Sequence, residues 1–250
     1  MLSWILLLAA AFAGGVANAL AGGGTFLIFP ALIFAGVAPI RANATSSVIT
    51  VPGGIASAWI YRKASTVSKT LFRALIAVSV VGGLLGSQLL ILTPSERFSK
   101  LVPYLMLGAA VVFTFSNQLR KFAAEHTPEH PHTAMLIAGQ FLIAIYGGYF
   151  GAGMGVLSIV VFGIAAGLGV QNSAGLRMWC ATGANTLAVL NFILRGLIDW
   201  RTAIPMLIAT IIGGTIGAHG FKRLDPEVAR RAVLIYAWIT GVWLLIRSWQ

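Results

Sequence analysis

The sequence predicts an all-α membrane protein of about eight hydrophobic segments in two inverted repeats, the first segment of each repeat a Gly-broken hairpin that either spans or re-enters. Three observations predict it. The chain of 250 residues is 58% hydrophobic and 9% charged, with a mean hydropathy of +0.89, whereas soluble domains carry about 25% charged residues. Apolar runs long enough to cross a hydrocarbon core of about 30 Å recur along it. Finally, six glycines repeat at an offset of 131: Gly22 falls on Gly153, Gly24 on Gly155, Gly36 on Gly167, Gly82 on Gly213, Gly83 on Gly214 and Gly86 on Gly217. Gly is common here (29 residues), so single matches carry nothing. Six at one offset, with matching apolar surroundings, indicate a duplication.

The elements follow in order. The first repeat, residues 1–117, opens with the apolar segment Ser3–Gly36, interrupted at Ala21–Gly24. Thirty-odd helical residues span about 50 Å, too long for one crossing and short for two, which is why a helix–break–helix hairpin is expected. Helices at 43–61, 71–92 and 100–117 come next. Residues 118–133 are a polar, Pro-containing linker. The second repeat, 134–250, has the same plan: Ala134–Gly167 broken at Gly151–Gly153, then helices at 177–197, 202–221 and 228–247. The Ala17-Asn18-Ala19 box could end a signal peptide, but no basic n-region precedes it, and cleavage would cost the first repeat its opening element.

Charge sets orientation. The net charge is +11, with Lys and Arg confined to short connections between apolar runs. With the Arg62, Lys63, Lys69, Arg73 loop in the cytoplasm, inverted repeats place 11 Lys and Arg inside and 6 outside. Parallel repeats split them almost evenly, so the positive-inside rule favours inversion. No basic stripe interleaved with aromatics is present, which argues against nucleic acid as a partner. The expected surroundings are a lipid bilayer, with several Trp near run ends as interfacial anchors. The Trp and Leu faces serve lipid or a homodimer contact equally well.

The interruptions are the first candidate site. Unwound backbone inside a membrane is tolerated where it is buried in protein or lines a polar cavity. Helices beginning at Thr25 and Met154 would aim N–H groups and positive dipole ends at such a cavity. Gly22, Gly23, Gly24 and Thr25 in one repeat and Gly151, Gly153 and Gly155 in the other are therefore candidate anion ligands. Asn43, Thr45 and Ser46 cluster in one turn near the start of the next helix, and Thr182 and Asn185 hold the related place in the second repeat. Their alternative role is capping or bonding back to the preceding turn. Arg41 and Arg177 stand at the corresponding helix starts and suit anion steering or snorkelling. His219, in an apolar run, is a candidate proton relay or a polar packing residue. The linker residues Glu125, His126, Glu129, His130 and His132 have metal-ligand chemistry without a zinc spacing, and Cys180 is the only cysteine. No metal or cofactor is expected. Paired intramembrane carboxylates and HExxH are absent, so no enzyme is expected either.

Gly22-Gly23-Gly24-Thr-Phe-Leu-Ile-Phe-Pro30-Ala-Leu, followed by Gly36 and by Asn43-Ala-Thr45-Ser46, resembles the first signature of the TauE/SafE sulfite-exporter family. Ala184-Asn185, Phe192 and Gly196-Leu-Ile-Asp199-Trp200 resemble its second. The resemblance implies a secondary transporter of the cell inner membrane for small sulfur-containing anions such as sulfite and organosulfonates. The second half departs from the doubled pattern, with Met154 at the middle glycine and Val161 where Pro30 would repeat, so the two hairpins are expected to have unequal roles. If the first break binds the anion, Gly24→Val should abolish transport without preventing insertion.

Overall fold

A computed structural model describes residues 2–20, 23–60, 67–128, 130–219 and 226–248. Within them every regular element is helical: α1 (Leu2–Leu20), α2 (Thr25–Phe34), α3 (Pro39–Ile60), α4 (Lys69–Leu92), α5 (Ser95–Thr114), α6 (Ser116–Glu125), α7 (Thr133–Tyr149), α8 (Met154–Ala166), α9 (Val170–Leu194), α10 (Trp200–His219) and α11 (Pro226–Ser248). Lys69–Leu92, Ser95–Thr114 and Glu227–Arg247 are long and apolar enough to cross a membrane. Ser3–Ala19, Thr25–Phe34, Thr133–Tyr149 and Met154–Ala166 are shorter apolar helices. Large apolar side chains such as Leu92, Leu142, Leu194 and Ile239 are exposed, while Asn43, Thr45, Ser46, Ser79, Ser87 and Gln140 are buried. This inside-out distribution suits lipid as solvent.

Both expected interruptions are helix boundaries. α1 stops at Leu20 and α2 starts at Thr25; α7 stops at Tyr149 and α8 starts at Met154. In the second, Gly151 and Gly153 adopt φ of +82° and +76°; in the first, Gly23 adopts +92°. L-side chains pay roughly 1–2 kcal/mol in that region, so these positions need glycine. They do not coincide at the 131 offset, and the two breaks therefore differ in backbone path.

α9 begins at Val170 rather than 177, so Arg177 lies inside it and not at its start, and α5 begins at Ser95 rather than 100. Two further differences have clear reasons. α3 begins at Pro39 rather than near 43, because proline at the first helical position lacks only an N–H that has no intrahelical partner. Asn43–Ser47 thus sit inside α3 rather than at its N-terminus. The linker 118–133 is also partly helical: α6 occupies its first part and packs on α8, where Ala123 lies against Gly163. Pro128 and Pro131 come only after α6 ends, so nothing in 116–125 breaks a helix.

The chain forms two compact units that cut across the sequence halves. Unit 1 is Met1–Gly53, Ile91–Ala110 and Phe192–Gln250; unit 2 is Gly54–Leu90 and Val111–Asn191. Unit 1 holds the broken pair α1/α2 of the first repeat with α10 and α11 of the second. Unit 2 holds the broken pair α7/α8 of the second repeat with α4 of the first.

The repeated glycines explain this exchange. In unit 1 a Cβ on Gly213 would strike the Phe12 carbonyl and one on Gly15 the Thr210 carbonyl, joining α10 to α1. In unit 2 a Cβ on Gly86 would strike the Ile145 carbonyl and one on Gly148 the Gly83 carbonyl, joining α4 to α7. Such backbone contact is how small residues drive helix association where no hydrophobic force acts between helices. Polar bonds reinforce it. Thr210 Oγ1 donates to Ala11 O at 3.1 Å in unit 1. In unit 2, Gln140 Nε2 donates to Ser79 Oγ at 3.0 Å and Asn191 Nδ2 to Ser87 Oγ at 2.9 Å.

A paired substitution tests the packing. Gly213→Ala and Gly108→Ala each gain helix propensity, about 1 kcal/mol. Gly108 has open space around it and should be neutral or stabilising. Gly213→Ala should cost about 1–3 kcal/mol through overpacking, read as a lower thermal midpoint in detergent. Equal midpoints would mean α1 and α10 do not pack at this glycine.

Candidate functional site

A break in a membrane helix exposes backbone N–H and C=O groups that water cannot satisfy, at roughly 2–7 kcal/mol each. The protein answers this differently in its two units. In unit 1, Asn18 of α1 reaches six residues forward and its Oδ1 accepts the Gly24 N–H at 3.1 Å. In unit 2, Tyr146 of α7 also reaches six residues forward, but its hydroxyl donates to the Ala152 carbonyl at 2.5 Å. The first fastening consumes an N–H; the second consumes a carbonyl. Neither Asn18 nor Tyr146 was among the candidates from sequence, although Asn18 is the lone polar side chain just ahead of the first break and Tyr146 is one of two tyrosines just ahead of the second.

Of the first-repeat candidates, Gly24, Arg41, Thr45 and Ser46 are engaged in internal bonds, whereas Thr25, the first residue of α2, donates no hydrogen bond among the described residues. A Cβ on Gly24 would meet the Gly14 carbonyl, so Gly24 is where α2 packs on α1. Gly24→Val would therefore open the α1–α2 contact as well as any anion site, and its loss of transport would not separate the two. Thr45 is fully buried, and its Oγ1 accepts the Asp199 N–H at 3.0 Å. Ser46 Oγ donates to Asn43 O at 2.9 Å, as Ser47 does at 3.0 Å. Arg41 Nη2 lies 3.4 Å from Ile198 O. Arg41 and Thr45 thereby fix the turn that carries Asp199 to the start of α10. Gly22 lies outside the described residues, and so does the side chain of His219.

The second-repeat candidates are less committed. α8 starts at Met154, and a Cβ on Gly155 would stand 2.7 Å from Arg177 Nη1. Only glycine lets the guanidinium settle over this first turn. Among the described residues the Gly155 N–H makes no hydrogen bond. Thr182 Oγ1 is buried without a partner among the described residues and faces Gly54 of α3 at 3.4 Å from its Cβ position. Gly54 directly follows Pro52-Gly53, inside α3. Asn185, three residues on from Thr182 and on the same face of α9, also makes no hydrogen bond among the described residues. Unit 2 thus combines a helix N-terminus with a guanidinium, and α9 carries an uncommitted hydroxyl and amide.

The TauE/SafE family model, described as sulfite exporter, matches residues 6–244. The chain belongs to this family. It is 25% identical over 88% of its length to a probable membrane transporter protein, ORF9, of Sinorhizobium sp., covering 85% of that protein. It is 24% identical over 95% of its length to the probable membrane transporter protein YfcA of Escherichia coli K12, covering 88% of it. A probable membrane transporter protein of Haemophilus influenzae is 24% identical over 94% of this chain and 91% of its own length. This TauE/SafE protein is thus a membrane protein of a transporter family, and the match runs through both breaks.

The fastenings make unequal demands. Tyr146→Phe removes the donor from a carbonyl in the second break. It should lower stability by about 1–3 kcal/mol, with faster amide exchange confined to 147–156. Asn18→Leu should loosen 19–28 instead. Exchange that rises equally in both segments in either variant would show that the breaks are not fastened separately.

Proposed function

We propose that this protein is a secondary transporter moving a small anion, most readily a sulfur-containing one such as sulfite or a sulfonate, across the cell inner membrane. Two inverted repeats would alternate access to the anion. The observation that carries the reading is Arg177 lying against Gly155 in the first turn of α8. The N-terminus of a helix carries roughly half a positive charge and points N–H groups outward. A guanidinium beside it offers a planar, permanently charged donor fork. Together they match an oxyanion and repel cations. Thr182 and Asn185 would supply neutral donors, which bind an anion without the desolvation cost of a second buried cation.

The sulfur-containing substrate rests on the family's description and on chemistry. Sulfite and sulfonates present three oxygens to donors that come from different directions: backbone N–H, guanidinium, hydroxyl and amide. A carboxylate presents two. The first break, whose Gly24 N–H is taken by Asn18, is assigned a structural role in this scheme, and the second break the binding role.

Flux in proteoliposomes tests the proposal, with sulfite, methanesulfonate, taurine, sulfate and acetate as the panel. Wild type should move at least one of the sulfur oxyanions. Arg177→Gln should lower that flux about tenfold or more, the scale of a lost charge-assisted contact of about 1.5–3 kcal/mol. Arg177→Lys should retain part of it, and Gly155→Ala should resemble Arg177→Gln because its Cβ displaces the guanidinium. No flux for any anion in either direction, or full flux in Arg177→Gln, would overturn the reading.

A further inference from the structure

A second concentration of positive potential lies in unit 1, away from both breaks. The turn between α2 and α3, the start of α1 and the start of α10 enclose a cavity of about 560 Å³. Arg41 and Arg201 line it, with Asp199, Ser3, Trp4 and Ala38. Among the described residues neither arginine forms an ion pair. The Asp199 carboxylate accepts a hydrogen bond from Thr202 Oγ1 at 3.1 Å, and its backbone N–H is held by Thr45. The bond from Arg41 to the Ile198 carbonyl leaves the guanidinium its charge and most of its donors.

The backbone adds to the arginines. Ser3 and Trp4 belong to the first turn of α1, Ala38 precedes α3, and Asp199 precedes α10. Three helix N-termini therefore meet at one cavity, each worth roughly half a positive charge, against the single C-terminus of α2. Counting two guanidinium groups and one carboxylate, the cavity carries a net charge of about +2. Its size is equally informative. At about 30 Å³ of liquid volume per water, it can hold a small oxyanion with much of its hydration shell. A hydrated ion keeps its water ligands, so retention is weak and the field acts mainly on local concentration.

We propose that this cavity is a second oxyanion site, in which Arg41 and Arg201 concentrate small soluble sulfonate-like anions and Asp199 limits how tightly they are held. The inference rests on the anion-transport reading and extends it to residues that reading does not use. Thr45 and Thr202 act as positioning residues, since they fix Asp199 on the cavity wall. A phosphate-bearing lipid headgroup offers the same chemistry, and the test separates the two sources.

Cys180 is the only cysteine and is fully buried, so a Cys180→Ala background gives a clean reporter. Ser3→Cys places a thiol on the cavity wall. Its modification is timed with a sulfonate-bearing and a trimethylammonium-bearing methanethiosulfonate of similar size, in detergent. The anionic reagent should react about tenfold faster. Arg41→Gln with Arg201→Gln should abolish that preference, and Asp199→Asn should increase it. Millimolar methanesulfonate should slow the anionic reagent, and phosphatidylglycerol nanodiscs should not replace that effect. Equal rates for the two reagents, or a preference unchanged in the double variant, would overturn the site. Protection by phosphatidylglycerol alone would also overturn it, in favour of a lipid site. Should Arg41→Gln prevent folding, Arg201→Gln and Asp199→Asn still move the ratio in opposite directions. The labelling is independent of flux: a failed preference with intact Arg177-dependent transport sinks only this site, and a sound preference without transport sinks only the transport reading.

Discussion

Interrupted helices in a medium without water must satisfy their own backbone, and the rest of this protein is arranged around that constraint. Each break is secured by one side chain reaching six residues forward from the preceding helix. Asn18 offers an acceptor, and Tyr146 offers a donor. This single chemical difference determines what remains. At the first break Asn18 takes the Gly24 N–H; at the second Tyr146 takes the Ala152 carbonyl and the Gly155 N–H makes no hydrogen bond among the described residues. The asymmetry arises in the fastening residues as well as in the glycines, whose left-handed positions differ between the two breaks.

The same constraint accounts for the composition of the two units. A broken pair is short and lacks the apolar length to stabilise itself, so it needs a continuous helix in close contact. α1 obtains this from α10, and α7 from α4. Close contact demands glycine on the continuous helix, which is why Gly82, Gly83 and Gly86 recur as Gly213, Gly214 and Gly217. The duplicated sequence unit is thus not the compact structural unit. The glycine-rich helix of each half packs against the broken pair of the other half.

The fold was legible in the sequence to the extent that it rested on periodicity and repetition. Apolar runs located the helices, and glycine clusters fell at the α1–α2 and α7–α8 boundaries. Boundaries failed where local chemistry overrode composition: Pro39 opened α3 early, and 116–125 was helical despite its polarity. The candidate site was legible in its parts but not in its connections. Arg177 and Gly155 were each recognisable, yet twenty-two residues separate them, and only packing of α9 on α8 brings them together. Thr45 and Ser46 read as a ligand cluster because sequence shows which groups can donate, not which are already engaged. Their bonds go to Asp199, 154 positions away, and to the preceding turn of their own helix.

That distinction between groups present and groups available governs how function should be divided between the repeats. The first repeat's motif is the richer in recognisable residues, with three glycines and an Asn-Ala-Thr-Ser run, yet Gly24, Thr45 and Ser46 are engaged in holding turns. What it positions is the cavity wall that carries Arg41 and Asp199, the latter held by Thr45. The second repeat has the poorer motif, with Met154 and Val161 in place of Gly and Pro, but the Gly155 N–H beside Arg177 and, further along α9, the Thr182 hydroxyl and Asn185 amide make no hydrogen bond among the described residues. Strong dehydrating contact and weak hydrated attraction are competing demands on one set of donors, because a group rigidly bonded within the protein cannot also replace an ion's water. A duplicated chain can meet both demands by letting one copy give up its donors to structure while the other keeps them. On the proposed reading, the differences at Met154 and at the fastening residues are what leave the second break free to bind.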